Sequence, residues 1–262
     1  MAITSAELTA WIGQFLWPFI RVGALMLTAP MFSNILIPVR VRVLLSVGLT
    51  VAVLPAVGSV PRLDALSAAV LLVAAQQVLI GAAIGLLVAM AFQAVAIAGE
   101  TLSITMGLGF ATMISPQTGV ASPVISQFLL IVVMLLFLAM GGHLMLIQLL
   151  AASFRTLPIA VTGLGGQGFY ALVAWAGQMF AGAVLLALPA IAVLLIVNLI
   201  IGVMTRAAPQ MNVFSVGLPI TLLAGFVVVL LILLPTLPEH MAGLWRLAFE
   251  SLGQILSVTG DR

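Results

Sequence analysis

The sequence predicts an all-α integral membrane protein of about six long, partly broken hydrophobic helices. Three observations carry this. Hydrophobic residues make up 64% of the 262 positions and charged residues only 5%; the mean hydropathy is +1.39; and the apolar residues collect into runs long enough to cross a bilayer. The eight basic positions are all arginine and face six acids, a formal balance of +2. A pI near 10.5 therefore reflects a scarcity of titratable groups, and a nucleic-acid footprint is excluded. With no cysteine, there is neither a disulfide framework nor thiol chemistry to consider.

Hydropathy places the apolar segments at 9–29, 41–58, 66–99, 124–152, 169–205 and 214–237, followed by an amphipathic tail. The first carries Arg21 inside it and Pro30 at its end. It lacks the basic start and small-residue cleavage site of a removable signal peptide, so it is expected to be retained. The second segment opens at Arg40 and Arg42. As one helix, the third would run about 51 Å at about 1.5 Å per residue, against a hydrocarbon core of about 30 Å, so it should tilt, break or leave the lipid. The fourth and fifth are separated by the most flexible stretch, "TGLGGQG" at 162–168. Pro189 in the fifth removes a backbone donor and kinks a helix unless neighbours satisfy the freed carbonyl. Orientation stays open, because the arginines of alternate loops divide three (Arg40, Arg42, Arg206) to four (Arg62, Arg155, Arg246, Arg262).

Enzyme signatures are missing. "TGLGGQG" has neither the following Lys-Ser/Thr nor the preceding strand of a phosphate-binding loop, and "MGLGFA" at 106–111 lacks the third glycine of a dinucleotide site. His143 in "GGHLM" and His240 in "PEHMAG" form no HExxH pair, so neither a catalytic zinc nor any other cofactor is expected. No GxSxG marks a nucleophile.

Polar groups inside apolar segments are costly in lipid and point to protein or water neighbours. Gln93, Ile97 and Glu100 recur at spacings of four and three, which puts Gln93 and Glu100 on one helical face, with Gly99 leaving room for close approach. A proton relay needs several acidic or histidine steps; Glu100 is the one carboxylate between Asp64 and Glu239, so an ion pair or subunit contact is expected. Arg206, Gln210, Asn212 and Phe214 fall in "RAAPQMNVFSVGLP", 206–219, where Pro209 and Pro219 end helices and Gly217 permits a bend. "GAAIG", from Gly81 to Gly85, lets two helices approach closely. The segment 106–123, "MGLGFATMISPQTGVASP", carries no charge and mixes glycines and two prolines with Phe110, Met113 and Ile114. Irregular backbone at membrane depth survives only inside protein or a water-filled cavity, which leaves a plug or a re-entrant packing loop.

The stretch "AGETLSITMGLGFATMISPQTG", 98–119, with "NLIIGVMTRAAPQMNVFSVGLPI", 198–220, resembles the FliR family, the R subunits of the flagellar type III export gate, related to the T subunits of virulence secretion systems. Length, six segments and the amphipathic C-terminus agree over essentially the whole chain. The resemblance implies a non-enzymatic subunit of a hetero-oligomer with the P and Q export-gate subunits, in the bacterial inner (cell) membrane at the flagellar basal body. Unfolded flagellar export substrates pass through that gate, and the FlhB switch protein contacts it when closed. It implies a P-like part, 1–165, fused to a Q-like helical hairpin with an amphipathic tail, 166–262, in an assembly lifted largely out of the bilayer. It also implies a pore plug at 106–123 that includes Met106, Gly107, Leu108, Gly109, Phe110, Met113, Ile114 and Pro116, with Phe110, Met113 and Ile114 as the apolar seal. Neighbouring subunits become the partners expected for Arg206, Gln210, Asn212 and Phe214. The rival class, a secondary transporter or ion channel for a small solute, would bring an inverted repeat, charged ligands and paired half-helices, none of which is visible in the sequence.

Overall fold

A computed structural model describes residues 5–34, 36–58, 60–61, 67–108, 124–208 and 216–258, with side chains from Gly13 to Leu256. Every described element is helical. In chain order these are α1 (Ser5–Thr28), α2 (Pro30–Ser33), α3 (Val39–Val53), a 3-10 turn (Leu54–Ala56), α4 (Ala68–Thr105), α5 (Val124–Ala139) and α6 (Gly142–Thr156). There follow α7 (Gly166–Ala174), α8 (Ala176–Ala207), α9 (Leu218–Val228), a π turn (Val229–Leu233) and α10 (Leu234–Val258).

Among the described residues, four stretches are long and apolar enough to cross a membrane: Val39–Ala56, Ala68–Thr105, Gly166–Ala207 and Leu218–Leu256. The pair α5 and α6 makes a fifth if counted as one broken span, against the six that hydropathy suggests. The breaks also fall elsewhere than the sequence suggests. α4 is a single helix of 38 residues, about 57 Å long at about 1.5 Å per residue. Pro189 lies inside the continuous α8; both it and Leu185, whose carbonyl loses its donor, lie on the outer surface of the helix. The fourth apolar segment divides instead at Met140 and Gly141, where Gly141 adopts φ +73°, open to glycine without a Cβ penalty. The sixth runs on into the amphipathic tail through the π turn, which sits just ahead of Pro235, a residue with no N–H to offer Leu231.

The chain packs as two compact units, 1–90 with 140–176 and 245–262, and 91–139 with 177–244. Each unit takes residues from both sides of position 165. In the first, α1 and the start of α4 lie side by side in the same direction. Arg21, Ala24 and Thr28 meet Gln77, Gly81 and Gly85 in that order, and the spacings of three and four put each trio on one helical face. A Cβ at Gly81 would overlap the Arg21 carbonyl and stand 2.9 Å from the Ala24 Cβ. The "GAAIG" face is thus the seat of α1.

Arg21 is fully buried, at 0% exposure. Its Nε donates to Gln77 Oε1 at 2.9 Å, Nη1 to the Ser153 carbonyl at 2.9 Å and Ser153 Oγ at 3.0 Å, and Nη2 to the Leu157 carbonyl at 2.9 Å. The Phe154 ring centroid lies 4.2 Å from its Cζ. Every acceptor is neutral. The two carbonyls belong to the C-terminal end of α6, where orphaned C=O groups and the negative end of the helix dipole offer a cation partial charge in place of a carboxylate. The neighbouring Gln76 accepts from Leu164 N at 3.1 Å and fills the space a side chain at Gly163 would need. The glycine-rich stretch is therefore a packing turn seated on α4.

Replacing Arg21 by alanine leaves Gln77 Oε1 and Ser153 Oγ buried without their donor. The expected cost is on the order of 3 kcal/mol, seen as a lower melting midpoint in detergent and less protein in membranes. Arg21→Lys, which replaces a planar fork by one ammonium, should recover only part of it. An Arg21→Ala protein melting with the wild type would show that the cage is dispensable.

Candidate functional site at the tip of the α4 and α5 hairpin

In the second unit the charge-free segment 106–123 connects two antiparallel helices. On α4 and the residue after it, Phe92, Val95, Ala98, Leu102 and Met106 are buried at spacings of three and four; on α5, Ile125, Leu129, Val133 and Phe137 are buried every four. Each set forms one stripe. The stripes meet at Gly99 and Ser126 near the tip, where a Cβ on Gly99 would stand 2.6 Å from Ser126 Cα and Ser126 Oγ donates to the Ala96 carbonyl at 3.0 Å. Farther along, the rings of Phe92 and Phe137 meet edge to face with centroids 5.3 Å apart. The close approach expected at Gly99 is made to α5.

The chain leaves α4 through a complete cap. Gly107 adopts φ +83°, its N–H donates to the Ile104 carbonyl at 3.0 Å and the Leu108 N–H to the Ser103 carbonyl at 3.0 Å. These are the paired bonds of a Schellman motif. The next carbonyl, on Thr105, accepts from Asn198 Nδ2 of α8 at 3.3 Å, so three carbonyls that a helix end leaves orphaned all find donors. The Met106 side chain is fully buried and fills a notch on α9 at Gly225, where a Cβ would stand 2.6 Å from Met106 Sδ. Gly107 itself lies against Leu218 at the start of α9.

Of the expected plug residues, the structure places Met106, Gly107 and Leu108 in this stem. Gly109, Phe110, Met113, Ile114 and Pro116 lie outside the described residues, as do Gln210, Asn212 and Phe214. Gln93 and Glu100 are exposed on one face of α4, with Ile97 half-buried between them and Ile104 exposed beyond. Arg206 is exposed in the last turn of α8, where a cation suits the helix dipole. α8 buries one stripe, including Gly182, Leu186, Ala190 and Leu194, and leaves Leu188, Leu195 and Leu199 open at 55%, 60% and 68% exposure. Asn198 opens the stretch 198–220 that carries the family resemblance but is not among the expected site residues; its own signal is a lone amide in an apolar run, the criterion that singles out Glu100 and Arg206. Among the described residues no three of His, Asp and Glu gather to hold a metal ion.

Gly99→Leu should lever α5 away from α4. The expected loss is about 1–3 kcal/mol, read as a lower melting midpoint in detergent; an unchanged midpoint would contradict the contact with Ser126.

The family described as bacterial export proteins, family 1, matches residues 12–248. The chain is 40% identical over 259 residues to the flagellar biosynthetic protein FliR of Pectobacterium carotovorum subsp. carotovorum, covering 98% of both chains. It is 38% identical to that of Escherichia coli (strain K12), again over 98% of both, and 30% identical over 249 residues to that of Bacillus subtilis (strain 168), over 94% of this chain and 95% of the relative. With a family match over most of its length and full-length relatives of one kind, this membrane chain belongs to the bacterial export proteins of family 1, as a member of the flagellar FliR proteins.

Proposed function

We propose that the chain forms, with the P and Q export-gate subunits, a channel that passes unfolded flagellar proteins across the inner membrane, and that segment 106–123 is its pore plug. Family membership makes the chain a component of the flagellar export apparatus and not an enzyme. The observation that best supports the finer reading is the hairpin tip: a charge-free segment with apolar side chains, whose entry from α4 is fixed by a fully satisfied cap. Such a segment exposes apolar side chains to water only at a cost and cannot lie bare in lipid. A channel interior closed by it would be dry to ions. The P-like part is 1–165 and the Q-like hairpin 166–262.

Two kinds of outer surface support assembly. Glu100 and Gln93 stand open on α4, and a carboxylate on an apolar helix has to meet a polar neighbour; that neighbour is a partner subunit. Arg206 and the residues that follow it, through Phe214, make a second joint. The FlhB switch protein contacts the closed gate, and an arriving substrate or partner displaces the plug.

Deleting residues 110–116, which spares the stem, should raise ion leak in cells carrying the assembled gate; normal assembly with unchanged leak would reject the plug. Glu100→Gln and Arg206→Gln should lower co-purification with the P and Q subunits before they alter what is exported. Intact complexes that have lost export would instead point to a role for these charges in energy coupling.

A further inference from the structure

We infer that the stem Thr105–Leu108 is a permanently seated anchor, with Met106 as its positioning residue, so that any displacement of the plug during export begins beyond Leu108. Three independent features converge on these four residues. The cap engages the N–H groups of Met106, Gly107 and Leu108 and the carbonyls of Leu102, Ser103 and Ile104; unseating it would break three backbone hydrogen bonds at once. A second helix contributes Asn198, which is aimed at the remaining Thr105 carbonyl. The third is a fitted notch. Met106 is fully buried, and Gly225 lies so close that any side chain there would collide with the Met106 thioether. Segments that open have few buried contacts; Met106 is fully buried, while Thr105, Gly107 and Leu108 beside it are half-buried. Gly107 turns the chain at φ +83° over Leu218, a geometry that glycine adopts freely and other residues resist.

The inference rests on the plug reading for its leak measurement, whereas the seating is tested on its own. The chain has no cysteine, so Met106→Cys with Gly225→Cys adds the one pair in it. In cells carrying the full chain in an assembled gate, oxidation should link the pair, and export should continue with the link closed. Export that stops on oxidation and resumes on reduction would mean that residue 106 has to leave the notch, which overturns the anchor; so would a pair that never links in assembled gates. Two single variants separate positioning from bulk. Met106→Ala should raise resting ion leak several-fold with assembly unchanged, and Met106→Leu, which refills the notch, should restore the seal. Leak from the 110–116 deletion without leak from Met106→Ala overturns the anchor and leaves the plug standing. No leak from the deletion removes the plug, and the cross-link then decides the anchor alone.

Discussion

A guanidinium buried in an apolar protein has to be solvated by the fold itself, and Arg21 makes the first unit meet that demand. Removing such an ion from water costs several kcal/mol, while hydrogen bonds to a charged group return about 1.5–3 kcal/mol each. The terms are close enough that the cage has to be nearly complete. One acceptor comes from α4, and the others come from the last turn of α6 and the residue after it. Gly81 follows from the same demand, because the Arg21 backbone reaches α4 only where no Cβ intervenes. A single charge thus couples α1 to α4 and α6, and the dipole of α6 takes the place of a counter-ion.

Outside the cores, both long helices leave apolar side chains open and each also exposes polar groups. α8 leaves leucines and isoleucines open, which lipid or an apolar subunit covers at no electrostatic cost, together with Asn198 and Arg206 toward its end. α4 leaves Gln93 and Glu100 open, a surface that lipid covers only at considerable cost. Hydroxyl groups do not add to that demand. Ser103 bonds back to the Gly99 carbonyl and Thr221 to the Gly217 carbonyl one turn earlier, which satisfies them within their own helix. Among the described residues the carboxylate on α4 has no such local solution.

What the sequence makes legible is local, and what it hides is long-range. Class, the length of α4 and the close-approach role of Gly81 and Gly99 can all be read from short windows. The Arg21 cage cannot, because its partners lie 56, 132 and 136 positions away. The rule that flags polar residues in apolar runs applies equally to Arg21, Asn198, Glu100 and Arg206, and it does not say which of them the chain itself will satisfy. The first two are met by this chain, whereas Glu100 and Arg206 stand open. Breakers mislead for a related reason. Pro189 leaves α8 unbroken, and what meets the Leu185 carbonyl it strands is set by neighbours outside its own window, while the actual break falls at a glycine that adopts a positive φ. In segment 106–123, composition is legible, but the notch for Met106 is not, because Gly225 sits on a helix distant in sequence.

Closure entropy does little to place a loop, since each doubling of its length costs only about 0.6 kcal/mol. Side chains decide more: burying one large apolar residue returns roughly 1.5–3 kcal/mol, so a segment bearing Phe110, Met113 and Ile114 resists withdrawal into water. On the plug reading these two facts impose a division of labour. A gate that seals and reopens requires a tip held by contacts that a passing chain can replace, and a stem held by contacts that it cannot. Apolar contacts satisfy the first condition because an unfolded polypeptide supplies similar surface. Backbone hydrogen bonds within a helix cap, with a thioether seated against a glycine, satisfy the second, because they are made within the chain itself and a passing chain offers no ready substitute for either. Met106 through Leu108 carry contacts of the second kind, and the composition of 110–116 is suited to the first.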